Sequence, residues 1–376
     1  MRIGINALYL IPGKTGGMSA YLKNLLKYLQ EIDTTNEYFI YTSIEGAGTF
    51  NLSAGNFHEI RCSLPARLRA LHYFWELFIL PFQVWKDKID LLHSPANIAP
   101  IYLSCKSIIT IHDVGIYFSS VNLPRVFTFT YKKLLPLMVR RASRIITVSE
   151  HSKKTISSVL GLSVPEIVVI PLAAEAGEVH EEIKKDIKTK YNIKEEYIFT
   201  LIAAIPHKNM DGLIHAYKIL TERQQEVPQL VIAGIRGPAI QKVKKQIEEW
   251  GLEKNIIFLG FVPDSHLPSL YSSAKLFVFP SKYEGFGLPI LEAMGYGVPV
   301  VSSNTTSLPE VIGDAGLMFN PDDPAEMADV IEHALVDTVT RKNLVEKGLK
   351  RVKEFSWRKV AEKTLAEYKA AMASGD

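Results

Sequence analysis

Ser281-Lys-Tyr-Glu-Gly-Phe-Gly-Leu-Pro-Ile-Leu-Glu292 lies between two short apolar runs, Lys275-Leu-Phe-Val-Phe-Pro280 and Val298-Pro-Val-Val-Ser302. Each run has the length and bulk of a buried strand, and the segment between them predicts a tight loop followed by a helix. Strand, loop, helix and strand make a βαβ unit, whose ligands sit in the crevice beyond the carboxyl ends of the strands. Gly285 and Gly287 lack a Cβ, so the backbone can take positive φ there and come close to a ligand. Pro289 suits the first helical position. The helix N-terminus then directs N–H groups and a partial positive charge outward, which suits a phosphate. Glu284 falls in the loop, and Glu292 is expected in the first helical turn. Two carboxylates beside a phosphate site suit a nucleotide sugar, because carboxylates accept hydrogen bonds from sugar hydroxyls. The same letters also read as a capped helix with two surface glutamates, since Glu near a helix start is favourable for dipole reasons alone.

The surrounding pattern favours the ligand site. Glu284 through Glu292 is followed by Ala-Met-Gly-Tyr-Gly-Val-Pro-Val-Val-Ser and by Leu308-Pro-Glu-Val-Ile-Gly-Asp-Ala-Gly316. This series resembles the retaining GT-B glycosyltransferases of the glycosyl-transferases-group-1 type, which carry a Glu, seven residues, Glu motif. The similarity continues at Ile111-His-Asp113, Val148-Ser-Glu150, His207-Lys-Asn209 and Phe355-Ser-Trp357, in the family's order. It covers most of the chain and is densest over residues 255–330.

Size and composition agree with such a protein. At 376 residues the chain exceeds the length at which a single core usually stops growing, so two domains are expected. The hydrophobic fraction of 47% and charged fraction of 22% are ordinary for a globular protein. Cys62 and Cys105 are the two cysteines, too few for a disulfide framework or a cysteine-based metal site. The opening Met-Arg-Ile-Gly-Ile-Asn reads straight into a strand and lacks the form of a signal peptide. The apolar region 71–85 is interrupted by His72, Glu76, Pro81 and Gln83, so no membrane span is expected. A cytoplasmic location follows as the expectation. Net charge is only +3 but uneven. Residues 1–171 hold 18 Lys plus Arg against 11 Asp plus Glu, whereas the remainder holds 25 against 29. The first half is therefore expected to face something anionic.

Along the chain, a strand at 2–10, a glycine-bearing loop at 12–18 and a helix at 19–31 open the first half. Strands follow at 38–42, 91–92, 107–111 and 144–148. The second half repeats the style, with strands at 198–203, 229–233, 255–259, 276–280 and 298–302. Two sets of alternating strand and helix argue for an α/β fold of two Rossmann-like domains with parallel sheets. The joint is expected near Ile170-Pro-Leu-Ala-Ala-Glu-Ala-Gly177, and a charged helix over 178–196. The domains are then 1–171, acceptor-side; 172–355, nucleotide-sugar-binding; and 356–376, a helix that the resemblance implies crosses back to the first domain. It also implies the GT-B architecture, with the two sheets facing a central cleft.

Individual residues have both a chemical and a bland reading. Thr15-Gly16-Gly17 follows the first strand and could bring backbone N–H groups to a phosphate, or form a plain turn. His112 and Asp113 sit at a strand's carboxyl end, where a His serves either structure or chemistry. Lys208 can neutralise a departing diphosphate or sit solvated on the surface. Asp322-Asp323-Pro reads as a helix start, and no metal site is expected.

The resemblance implies roles for these positions. Gly16 and Gly17 contact the donor, His112 bonds a donor hydroxyl, and Asp113 positions the acceptor. Lys208 stabilises the leaving group. Glu284 sits by the transferred sugar, Glu292 accepts the ribose hydroxyls, and Gly285, Phe286, Gly287 and Leu288 hold phosphates and sugar. Gly260 and Phe261 hold the base. Many relatives carry an Arg five residues before this Lys; here that position is Ala203. The implied activity is a metal-independent, retaining hexosyltransferase that uses no cofactor. It draws on a UDP- or GDP-sugar and builds a polysaccharide or surface glycan on a glycan or lipid-linked acceptor. A nucleotide-sugar epimerase of the same architecture and a non-catalytic nucleotide-sugar-binding module are the alternatives.

The acceptor side carries a further pattern. Residues 121–144 hold six basic residues and no acidic ones, interleaved with Phe127, Phe129 and Tyr131. Residues 67–88 add Arg67, Arg69, Tyr73, Phe74, Trp75, Phe78 and Phe82. Such helices either dock peripherally on the anionic inner face of a membrane or are core helices with a solvated basic face. No nucleic-acid motif accompanies them.

Overall fold

The structure, a computed structural model, describes residues 1–13, 16–118, 125–161, 167–177, 179, 181–203, 205–234 and 239–373. Thr15 and residues 121–124 of the basic stretch therefore lie outside the described residues, as do the side chains of Arg69, Arg125 and Phe127. Two compact units divide the chain, the first built from residues 1–118, 122–172 and 356–376, the second from 119–121 and 173–355.

The first unit holds a seven-stranded sheet of β1 (Arg2–Ala7), β2 (Glu37–Thr42), β3 (Phe57–Arg61), β4 (Leu91–Ser94), β5 (Lys106–Ile111), β6 (Arg144–Thr147) and β7 (Ile167–Val169). Its order is β3-β2-β1-β4-β5-β6-β7, with every pair parallel. The second unit holds β8 (Tyr197–Leu201), β9 (Gln229–Ala233), β10 (Ile256–Gly260), β11 (Leu276–Phe279), β12 (Val300–Ser303) and β13 (Gly316–Phe319). Its order, β10-β9-β8-β11-β12-β13, repeats the doubly wound Rossmann pattern, again all parallel. Helices cover both faces of a parallel sheet, so its central strands read as unbroken apolar runs. All four residues of β11, Leu-Phe-Val-Phe, are at most 1% exposed. Each such side chain contributes about 1.5–3 kcal/mol of burial free energy.

Strand order places a switch point between β1 and β4 in one sheet and between β8 and β11 in the other. Chains leave such a pair in opposite directions, and the gap between their carboxyl ends forms a crevice. The last helix, Trp357–Ala373, packs on the first unit. Its buried Tyr368 hydroxyl bonds His93 Nδ1 on β4 at 2.7 Å, and His93 Nε2 bonds Thr110 Oγ1 on β5 at 2.8 Å. Burial depresses the His93 pKa to about 3, so the ring is neutral.

Several local expectations change. Helix Gly16–Ile32 begins at Gly16, so Gly16 and Gly17 form its first turn rather than part of a loop. The charged helix spans Glu181–Tyr191, shorter than the 178–196 read from charge density. Strands β3, β7 and β13 were not legible as apolar runs. All three are edge strands, and β3 and β13 bury little of their length. Asp323 caps helix Pro324–Val336, accepting from the Ala325 and Glu326 N–H groups at 2.9 and 3.1 Å.

Glu76 is turned inward on a single π-helical turn, Trp75–Ile79, between helical segments Arg69–Phe74 and Leu80–Lys86. It is 1% exposed and accepts from Asn6 Nδ2 at 2.9 Å. Burial pushes its carboxyl from the ordinary 4.5 up to about 8, against the Asn6 hydrogen bond, which lowers it. The folded state therefore holds a proton that the unfolded chain releases, and the stability this gives is lost as pH rises from about 4.5 through 8. Glu76→Gln is expected to melt like the wild type at pH 5 and above it at pH 8.5. Equal melting temperatures at both pH values would contradict a buried, protonated Glu76.

Candidate functional site

In the second unit, the carboxyl ends of β8 and β11 bring together residues that are far apart in sequence. After β8 the chain makes a tight turn, Pro206–Lys208, closed by Asn209 at φ +55°. Asn209 Nδ2 donates to Pro321 O at 2.7 Å and anchors that turn. After β11 the Lys282 N–H donates to His207 O at 2.7 Å, tying the two loops side by side. Lys208 Nζ then reaches Glu284 Oε1 at 2.6 Å, with the two side chains 21% and 13% exposed. Lys208 also lies 5.8 Å from the centre of the Phe279 ring.

The loop bearing Glu284 is held from beneath. Its N–H donates to Thr306 Oγ1 at 3.2 Å. The fully buried Ser307 hydroxyl is within bonding distance of two carbonyls, Glu284 O at 3.0 Å and Phe286 O at 2.9 Å. Phe286 is buried, edge-on to Phe355 at 6.0 Å. Gly287 has φ +114°, and a Cβ there would come within 2.7 Å of Leu308 Cδ2. Of the two loop glycines, Gly287 is the one at positive φ. Helix Leu288–Gly295 starts directly after it, with Pro289 in the first turn. A carboxylate or phosphate facing this start meets N–H groups and the positive end of the helix dipole.

Glu292 sits beyond the first turn of that helix, not within it, because the helix begins at Leu288. Its Oε2 accepts from Tyr271 OH at 2.7 Å. Tyr271 is buried and stacks on Tyr296 at 5.6 Å, while Tyr296 OH accepts from the Gly177 N–H at 2.8 Å. Burial raises the Glu292 carboxyl, the Tyr271 hydrogen bond pulls it down, and the Asp264 charge raises it again. With Oε2 bound to Tyr271, the carboxylate keeps a fixed orientation and has Oε1 to offer. Gly260, at φ +68°, ends β10 where its pairing with β9 shifts register, and its carbonyl accepts from the Gly234 N–H at 2.8 Å. Phe261 follows it, 46% exposed. Ala203 lies just past β8 with a methyl group, so it supplies no cation beside Lys208. The nearby Lys282 Nζ pairs with Asp322 at 2.5 Å.

In the first unit, His112 follows β5 beside the β1–β4 switch point. Its Nε2 is 2.9 Å from Pro95 O, and its N–H donates to Asn97 Oδ1 at 2.7 Å. A carbonyl only accepts, so Nε2 carries the proton and Nδ1 is the acceptor of the neutral ring. Burial lowers the His112 pKa, partly offset by the Pro95 bond and the Asp113 charge. Tyr21 meets the ring edge-on at 5.0 Å. Asp113 Oδ1 accepts from the Gly115 N–H at 2.7 Å, so one of its oxygens serves the following turn.

Of the residues singled out from sequence, Lys208, Glu284, Gly285, Phe286, Gly287, Leu288 and Glu292 gather around one switch point. Gly260 and Phe261 belong to the same unit, on β10 and just after it. His112, Asp113, Gly16 and Gly17 belong to the first unit. Tyr271, Thr306 and Ser307 escaped the sequence reading. Ser307 and Thr306 immediately precede the quoted Leu308-Pro-Glu run, a signal that was available; Tyr271 had none, since its hydroxyl meets Glu292 only through tertiary packing.

The chain matches the family described as Glycosyl transferases group 1 over residues 182–351 and that described as Glycosyltransferase Family 4 over 15–175. O-antigen chain mannosyltransferase B of Escherichia coli is 35% identical over 293 residues, covering 76% of this chain and 77% of that protein. The serotype-specific mannosyltransferase WbdA of Escherichia coli is 40% identical over 208 residues, which are 55% of this chain and 24% of WbdA. Among solved structures, Anabaena HepE in complex with UDP and glucose superposes with a TM-score of 0.76 at 18% identity, covering 98% of this chain and 99% of HepE.

Proposed function

Because this chain belongs to the glycosyl transferases group 1 family, we propose that it is a retaining, metal-independent glycosyltransferase that moves mannose from a UDP- or GDP-linked donor onto a lipid-linked surface glycan. The observation that carries this reading is the Lys208–Glu284 pair at 2.6 Å, set at the β8–β11 switch point beside the start of helix Leu288–Gly295. A diphosphate needs a cation and N–H donors, whereas a sugar needs fixed carboxylate acceptors, and this corner supplies all of them. Mannose as the transferred sugar is supported by relatives named as mannosyltransferases. A nucleotide donor is supported by the fold shared with a protein solved with UDP.

In the proposed reaction the bond between the sugar C1 and the phosphate oxygen breaks, and its electron pair stays on the diphosphate. The acceptor hydroxyl oxygen forms the new bond on the same face and passes its proton to the departing phosphate. Negative charge grows on the diphosphate, where Lys208 and the helix N–H groups stabilise it. Positive charge grows on the sugar, whose hydroxyls Glu284 binds. Glu292, oriented by Tyr271, takes the ribose hydroxyls. Gly260 and Phe261 contact the base, Gly16 and Gly17 the donor. His112 Nδ1 accepts from a sugar hydroxyl, and Asp113 orients the acceptor.

A thermal-shift screen against UDP-, GDP-, ADP- and dTDP-sugars and the free nucleotides tests the donor site. One nucleotide family is expected to raise the melting temperature, as a ligand bound only to the folded state must. Glu292→Ala is expected to weaken that nucleotide by about 1–3 kcal/mol, the size of a lost hydrogen bond to a charged group. Unchanged affinity in that variant removes its ribose role, and a product of inverted configuration removes the retaining mechanism.

A further inference from the structure

The helical segment 69–86 carries a row of apolar side chains that none of the described residues covers. Leu71, Phe74, Phe78, Phe82 and Trp85 are 37%, 51%, 63%, 62% and 62% exposed. Spacings of three and four residues put them on one face. Their rings touch in pairs, Phe74 with Phe78 at 5.2 Å and Phe82 with Trp85 at 5.7 Å. Single exposed apolar residues are ordinary, whereas a contiguous row of this kind marks an interaction surface. The opposite face is committed to the core: Leu80 and Val84 pack with Leu8, Tyr41 and Leu92.

Charge identifies the partner. Glu76 is the sole carboxylate of the segment, and the π-helical turn buries it, so the outer face presents no negative charge. Lys86 and Lys88 are exposed at one end; the carboxylates beside them are engaged, Asp87 accepting from the Tyr41 hydroxyl at 2.9 Å and the exposed Asp90 from the Arg2 N–H at 2.7 Å. Arg67 is exposed at the other end, where it also pairs with Glu45 at 3.5 Å. The neighbouring helix, Arg125–Arg141, shares a core cluster with Leu77 through Tyr131 and Leu135. That helix contains no acidic residue and adds exposed Phe129 and Leu137 to exposed Lys133, Arg140 and Arg141. Lys133 lies 5.8 Å from the Phe129 ring centre, and Arg141 lies 5.2 Å from that of Tyr102, itself 69% exposed.

We propose that this aromatic row and its basic flanks dock the first unit on an anionic bilayer, the rings entering the headgroup region and the lysines and arginines meeting lipid phosphates. Aromatic side chains favour that interface, and each basic residue near it adds about 1 kcal/mol of attraction. The inference rests on the lipid-linked acceptor reading, because a docked surface brings the enzyme to a substrate confined to the membrane. A protein partner would need acidic groups to answer the basic flanks; an anionic bilayer offers them everywhere.

The test is co-sedimentation of the full chain with phosphatidylcholine vesicles, with and without phosphatidylglycerol, for the wild type and Phe78→Ser/Phe82→Ser. The wild type is expected to pellet with the anionic vesicles, less so as salt rises. The double variant is expected to lose partitioning by roughly tenfold or more, since two rings no longer leave water. Both changes are at exposed sites, so unchanged melting temperatures confirm that the variant is folded. A wild type that stays in solution, or a double variant that pellets equally, overturns the proposal. So does light scattering that shows a dimer converted to monomer with vesicle binding unaltered. Nucleotide thermal shifts on the same preparations keep the two readings apart: vesicle binding without any nucleotide shift refutes the transferase reading alone, and the reverse refutes docking alone.

Discussion

Lys208→Ala is expected to lower kcat for sugar transfer by about 10²–10³-fold, the usual effect of removing one preorganised group that stabilises developing negative charge. Ala203, just past β8, supplies no charge, and Lys282 is paired with Asp322, so Lys208 is the cation set against Glu284 at this switch point. Its removal has a second consequence, since Glu284, only 13% exposed, loses its ion-pair partner. The two effects separate by experiment. Lys208→Met/Glu284→Gln removes both charges and is expected to recover the melting temperature while turnover stays low. A Lys208→Ala enzyme with kcat within a few-fold of the wild type would remove Lys208 from the chemistry.

Gly287→Ala is the other large effect. At φ +114° an alanine is strained whatever its surroundings, by about 1–3 kcal/mol. Its Cβ would also stand 2.7 Å from Leu308 Cδ2, a fully buried side chain, and such overpacking adds about 1–3 kcal/mol. Relief comes most easily by moving the loop, which carries Glu284 on one side and the helix start on the other. The variant is therefore expected to lose stability and nucleotide affinity together. Gly48→Ala provides the comparison, because Gly48 also has positive φ, +71°, but open space where its Cβ would be. It is expected to cost strain alone and to leave nucleotide binding intact. Equal losses in the two variants would show that the contact with Leu308 does not matter.

Much of this site was legible because its residues are close in sequence. The interval from Glu284 to Glu292 contains its own loop, glycine and helix start, and local backbone preferences are enough to place them. The buried central strands were legible for a related reason: a strand covered on both faces is largely apolar, wholly so in β11, and in β8 and β9 with one polar residue each. Edge strands β3 and β13 bury less and lose that mark. The inward turn of Glu76 was hidden as well. In the sequence it looks like a charge interrupting an apolar region, and only the π-helical turn and Asn6 on β1 reveal where it goes.

The alternation of strand and helix, the glycine and proline punctuation around Glu284, and the family to which these belong can be read from the chain, because each depends on neighbours within a few residues. Which distant residues meet is set by the packing of the folded chain. Lys208 and Glu284 are 76 positions apart and touch because β8 and β11 are adjacent at the switch point. Tyr271 orients Glu292, and Ser307 holds the Glu284 loop, through hydrogen bonds of 2.7 and 3.0 Å. Such contacts depend on strand order and helix packing, which side-chain periodicity does not encode, and a hydroxyl's partner is chosen only when the sheet brings one within reach.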